Sequence, residues 1–212
     1  MPAIVVPFAA LIVAFYTDFI AATTPEGVAD MILAGAMVTL RPLQREDVPA
    51  LVRWANDPLI VDLMDGGYPD TEAECLAWLE QLESSRQEKH FAILSPDRKL
   101  IGDIELDHIC WRRFEAELRI CIGDPAYWGH GFGTDAVTTL SWYAFKHLHL
   151  HTIFLRVYRD NSRAIRCYQK VGFRSVGRLV RNVRGVDREV YLMLLTPADL
   201  AARRSISLAL AG

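Results

Sequence analysis

The stretch AYWGHGFGTDA, residues 126–136, sets Gly129, Gly131 and Gly133 at every second position of an otherwise apolar and aromatic run. Glycine that dense marks a tight turn or a backbone that a ligand approaches closely. A Walker phosphate loop is excluded, because no Gly-Lys-Ser/Thr follows. Gly131, Gly133 and Ala136 do fit G-x-G-x-x-A, the dinucleotide fingerprint. In that fold, however, the glycines open almost directly from a strand end and an acid stands ~20 residues further on. Here the strand-like AELRICIG ends near Gly123, several residues too early, and the nearest suitable acid, Asp160, lies too far downstream. Two readings stay open at the level of the loop: a plain turn, and an anion cradle. In the second, the backbone N–H groups of Gly129 to Gly133 form a nest at the start of a helix over 134–148.

The surroundings of the loop are regular. MVTLR (37–41) alternates as a short strand that Pro42 ends, and Glu46 to Ala55 has helical spacing. Thr71 to Gln87 opens on an N-cap followed by early acids. HFAILS, the turn PDRK and LIGDIELDHI read as a hairpin, and AELRICIG (116–123) as the next strand. After the loop, Thr134 to Leu148 is helical, TIFLRVY (152–158) a β-rich strand and Asn161 to Val171 a short helix. Phe173 to Leu195 reads as two strands turning near Arg184-Gly185. This order predicts a mixed α/β (α+β) sheet with helices on both faces.

Composition narrows the class. The 212 residues are 51% hydrophobic with a net charge of −3, so nothing electrostatic points to nucleic acid as a partner. Cys75, Cys110, Cys121 and Cys167 form no CxxC pair and no metal-like spacing with the six histidines; they read as reduced thiols of a cytoplasmic protein without a metal. Residues 1–36 differ from the rest: Ala3 to Tyr16 is apolar, and Arg41 is the first basic residue, so the basic start of a secretory signal is missing. This leader fits an upstream extension or mis-assigned start, or a segment packed on the domain or in a homodimer interface. A membrane anchor is disfavoured by its shortness and by Asp18. The expected organisation is an extension over 1–36, one domain over 37–199 and a tail over 200–212.

A second stretch decides between the readings of the loop. RDNSRAIRCYQKVGF (159–173) places Asn161, Ala164/Ile165 and Tyr168 on one helix face. Taken singly, Asn161 reads as an N-cap and Tyr168 as a core aromatic. Taken together with IGDPAYWGHGFGTDAV (122–137), in this order and spacing, the chain resembles the GNAT N-acetyltransferases over about Met37 to Thr196. Within them it is most similar to the branch of ribosomal-protein alanine and serine N-acetyltransferases.

The resemblance implies a mostly antiparallel sheet with two splayed parallel strands. It also implies acetyl-CoA as co-substrate and a primary amine as acceptor, on a protein N-terminus or a small molecule such as a polyamine or aminoglycoside. A CoA-binding regulatory module without turnover is the rival from another class. Ile120, Cys121 and Ile122 would hold the pantetheine arm together with Asn161, and an amide near Cys121 or Ile122 would face the acetyl oxygen. Trp128, Gly129, His130, Gly131, Phe132, Gly133 and Thr134 would cradle the pyrophosphate. Trp128 stands where the superfamily commonly has Gln or Arg, which leaves the cradle to backbone amides. Tyr168 would donate to the departing thiolate and Glu117 would act as base, with Glu105 and Asp107 as alternatives or as binders of a cationic acceptor. The attack would be direct, with Cys121 a buried thiol and not an acyl carrier.

Overall fold

The computed structural model describes residues 31–64, 69–183 and 185–210, with side chains as far as Arg203. The leader up to Asp30 lies outside these residues. Strands β1 (Leu33–Ala34), β2 (Thr39–Pro42), β3 (Lys89–Leu94), β4 (Leu100–Cys110), β5 (Glu115–Ile122), β6 (Thr152–Tyr158), β7 (Arg174–Val183) and β8 (Val186–Leu195) form one sheet. Their order is β1-β2-β3-β4-β5-β6-β8-β7. Every junction is antiparallel except β5–β6, which is parallel.

The helices are α1 (Val48–Ala55), α2 (Pro58–Val61), α3 (Glu72–Ser84), α4 (Phe132–Lys146), α5 (Ser162–Val171) and α6 (Pro197–Leu210). Local chemistry fixes their ends. Thr71 accepts from the Glu74 amide ahead of α3, and Asp57 accepts from Leu59 with Pro58 at the first helical position of α2. Among the described residues, no helix is long and apolar enough to cross a membrane.

Strand alternation divides the apolar side chains between two faces. Ala116 and Leu118 of β5 join Val137 and Leu140 of α4 and Val171 of α5 in the larger core. Cys121, on the opposite face, packs with Leu51 and Trp54 of α1, Ile60 of α2 and Cys75 of α3. The sheet is thus covered on both sides, as its mixed pattern requires. Trp54 lies flat on Gly123, where a Cβ would collide with the indole, and so docks α1 at the root of the glycine loop.

Among the boundaries that differ from the sequence reading, three bear on the loop and the domain limits. The expected extension over 1–36 gives up its last residues to the domain. Leu33 and Ala34 pair with Leu40 and Thr39, and the Asp135 carboxylate accepts from the amides of Ala36, Met37 and Val38 at 3.1, 2.7 and 2.9 Å. The expected tail over 200–212 begins inside α6, opened by a reciprocal cap between Thr196 and Asp199 and anchored by buried Leu200. Helix α4 starts two residues early, at Phe132, because Gly131 takes a left-handed N-cap conformation (φ 95°) that a side chain would resist.

Candidate active site

The β5–β6 pairing lasts only from Glu115–Thr152 to Glu117–Phe154. Beyond it, β6 stays paired with β8 as far as Tyr158–Val190, and β5 stays paired with β4 as far as Ile122–Gly102. The two parallel strands therefore diverge, and a cleft of about 370 Å3 opens between them. Within β5, the Cys121 carbonyl faces Gly102 of β4, and the following Gly123 amide donates to Ile101. Alternation then turns the amides of Ile120 and Ile122 to the open side, as an unsatisfied strand edge. Of the two amides expected to face an acetyl oxygen, Ile122 is the one on the cleft side.

The glycine loop closes one end of this cleft. Asp124 caps the short 3-10 turn over Pro125–Tyr127, accepting from Ala126 at 2.9 Å. Gly129 and Gly131 both have positive φ, and the first α-helical bond runs from Asp135 to the Gly131 carbonyl. The amides of Phe132, Gly133 and Thr134 are therefore left without helical partners, at the positive end of the α4 dipole. The Trp128 indole N–H donates to the Ile122 carbonyl at 2.6 Å and locks the loop onto the strand end. The guanidinium of Arg163 stacks on the Trp128 ring, 3.4 Å from its centroid. Arg163, Arg166 and Lys170 of α5 all line the cleft. The loop expected to rely on backbone amides alone thus has cationic side chains beside it, brought in from the next helix. The side chains of His130 and Phe132 lie elsewhere: His130 is exposed, and Phe132 packs edge-on against Tyr127 with ring centroids 5.3 Å apart.

Helix α5 forms the facing wall. Its N-cap is Asn161, whose Oδ1 accepts from Ala164 at 3.1 Å, which leaves the Nδ2 as its donor. Both single-residue readings of Asn161 and Tyr168 therefore hold while both residues line the cleft. Tyr168 is buried, and burial first, then the neighbouring Cys167 and Cys121, push its hydroxyl above the ordinary value of 10. Burial, with Asp103 and Glu105 close by, likewise raises the Cys121 thiol well above its usual range. A thiol held protonated is a poor nucleophile.

The strand acids are paired, Glu105 and Glu117 buried and Asp107 half-buried. Glu117 faces the cleft, and Arg156 of β6 grips both of its oxygens at 2.8 and 2.9 Å. Glu105 contacts His90 Nδ1 at 2.6 Å and Arg119 at 3.0 Å, while Asp107 lies 3.0 Å from His108 Nδ1 and 3.5 Å from Arg119. Glu105, held between His90 and Arg119, is thus engaged inside the protein. Its carboxyl is held below the ordinary 4.5, hydrogen bonding and charge attraction from His90 and then Arg119 outweighing burial. His90 is raised above 6.5, with Glu105, Asp103 and Glu88 overcoming the burial of its ring.

The signs set a stability window. The Glu105 contribution is present above 4.5 and lost as pH falls through its depressed value. The His90 contribution is complete below 6.5 and lost as pH rises through its raised value. Wild-type Tm is expected to fall on the alkaline side of this window, and His90→Gln to flatten that limb. An unaltered alkaline limb in the variant would show that His90 is not its source.

Comparison with known proteins follows this geometry. Residues 37–174 match the acetyltransferase (GNAT) domain, and the chain belongs to that family. The spermidine N(1)-acetyltransferase of Vibrio cholerae is 30% identical over 149 residues, 68% of this chain and 83% of that protein. The Escherichia coli K12 enzyme of the same name is 29% identical over 145 residues, 68% and 76% of the two chains. The acetyltransferase PseH of Campylobacter jejuni is 26% identical over 160 residues, 76% and 92% of the two chains. The crystal structure of the V. cholerae spermidine enzyme with CoA and spermine aligns with a TM-score of 0.71 and 27% identity, over 77% of this chain and 98% of that one. The protein is accordingly an acetyl-CoA-dependent N-acetyltransferase. None of these relatives is a ribosomal-protein acetyltransferase, so the narrower likeness to the alanine and serine branch gives way to one with spermidine enzymes.

Proposed function

We propose that the protein acetylates a primary amine of a small polycationic acceptor of the polyamine class, by direct attack within a ternary complex. The observation that carries this reading is the splayed β5–β6 cleft, with a strand edge open for pantetheine and a cationic, amide-rich loop at one end for phosphates. The acceptor class rests on the likeness to spermidine enzymes. The outer groove between α2 and the β7–β8 hairpin is mixed in charge: Asp62, Asp70, Asp160, Asp187 and Glu189 gather there with Arg159, Arg181 and Arg188, and Arg159 and Arg188 already hold Glu189, Asp62 and Asp160.

In the proposed step the amine lone pair attacks the thioester carbon, the N–C bond forms, and collapse of the tetrahedral intermediate breaks the C–S bond. The Ile122 amide polarises the acetyl oxygen. A polyamine nitrogen, with a pKa of about 10.4, arrives largely protonated, so a proton must leave before attack. Glu117 takes it through water. Arg156 keeps that carboxylate aimed at the cleft. Tyr168, raised above 10, is too weak an acid to hand its proton outright to a thiolate of pKa about 8.5. Its hydroxyl instead donates a hydrogen bond to the sulfur as charge develops there, and the second proton, which the nitrogen sheds as the amide forms, passes through solvent to the departing thiolate. No step passes through Cys121.

Acetyl-CoA at ~100 times its Kd is expected to stabilise the fold by about 2.7 kcal/mol, raising Tm. Spermidine and spermine are expected to release free CoA thiol in a continuous assay. An unchanged Tm would remove the cofactor from the reading. Thiol release with Ala- or Ser-initiated peptides and none with polyamines would move the acceptor to protein N-termini.

A further inference from the structure

The outer groove meets the acetyl-CoA cleft at Ile60, Met64 and Tyr158, which line both. One side chain spans the groove at that junction. Arg188 of β8 donates from Nη1 to the Asp62 carbonyl at 2.8 Å and lies 3.3 Å from the Asp62 carboxylate. It donates from Nη2 to Asp160 at 2.8 Å, and its guanidinium carbon lies 3.8 Å from the centroid of the Tyr158 ring. Although it lies in a groove, the side chain is only 15% exposed. Three separate elements are joined in this way: the end of α2, the loop between β6 and α5, and the hairpin strand.

We infer that Arg188 is a specificity-determining residue, a crossbar that sets how bulky and how highly charged an acceptor reaches the thioester. This rests on the reading that an amine enters through the outer groove. Two physical effects follow from the position. The fork-shaped guanidinium satisfies two carboxylates and an aromatic face at once, which a lysine ammonium cannot do with the same geometry. It therefore cancels, from within the protein, charge that would otherwise attract a second ammonium of the acceptor. It also narrows the passage beside Tyr158. Compact amines pass; long polycations must displace the crossbar or thread past it.

The test is a panel of acceptors within the amine class that the wild type acetylates, from compact to long and from singly to multiply charged. Arg188→Ala is expected to raise the ratio of kcat/KM for long polycationic over compact acceptors by roughly tenfold, the scale of one pocket contact. KM for acetyl-CoA should stay within about twofold. Asp160→Asn loosens one arm only and should give a smaller shift in the same direction. Arg188→Lys keeps the charge without the fork and should fall between. A uniform loss across the panel, with the ratio unmoved in both Arg188→Ala and Asp160→Asn, would reduce Arg188 to a structural tie and overturn the inference. Wild-type turnover tests the function and the ratio tests Arg188, so the two fail separately.

Discussion

Replacing Tyr168 with Phe is expected to lower kcat roughly 100-fold, the cost of removing one preorganised donor from a site where charge develops. KM for acetyl-CoA should move little, because the ring keeps its packing against Phe173, with centroids 5.8 Å apart, in the wall of the cleft. The pH dependence separates this role from that of a titrating acid. Because burial raises the Tyr168 hydroxyl above 10, the protonated form persists through neutral and mildly alkaline conditions. The wild-type kcat profile should therefore show no falling alkaline limb below pH 10 from this group. Glu117→Gln should act at the other end, losing most at low pH, where the acceptor is fully protonated. Full turnover by Tyr168→Phe would take the hydroxyl out of the reaction and leave the sulfur to solvent or to the departing amine proton.

Asp135→Ala should destabilise the fold by about 2–3 kcal/mol, since it deletes the acceptor for three successive backbone amides at once. The consequence extends beyond stability. A carboxylate in the first turn of α4 would ordinarily compete with phosphate for the same dipole and repel it. Its oxygens are instead drawn to the amides of Ala36, Met37 and Val38, on the far side from the cleft. Gly35 allows that approach, for a Cβ there would strike the carboxylate and the Thr139 hydroxyl. Without Asp135 the turn at 35–38 loses its anchor, and Met37, whose sulfur lies where a Cβ on Gly131 would meet it, shifts with it. A several-fold rise in KM for acetyl-CoA should accompany the fall in stability, measured by denaturant unfolding and initial rates. Unfolding free energy and KM both at wild-type values would mean that the loop holds its shape unaided.

Much of this architecture is written locally. TIFLRVY gives β6 to the residue because its β-branched and aromatic run is bounded on both sides, and Thr71 announces α3 through its own cap. The glycine loop and the Asn161–Tyr168 face were legible as a pair, since each motif carries its spacing within a dozen residues. Arg163, Arg166 and Lys170 stood in the same quoted helix, three and four apart, and that spacing was the available signal for a basic flank. The ion pairs that join distant elements were not legible. Arg156 and Glu117 lie on adjacent strands 39 positions apart, and Arg188 reaches Asp62 across 126. Such partners meet only through the register of the sheet. The burial of Glu105 was hidden for the same reason: alternation marks two faces of a strand but does not say that α1, α2 and α3 cover the one bearing the acids.

The bond from the Trp128 indole to the Ile122 carbonyl works as an end stop on β5. The carbonyl at the loop end of the open strand edge is therefore already engaged from within the protein, while the Ile122 amide stays on the cleft side. The open edge of β5 is thereby left richer in donors than in acceptors, a strip matched to a ligand that presents carbonyl oxygens.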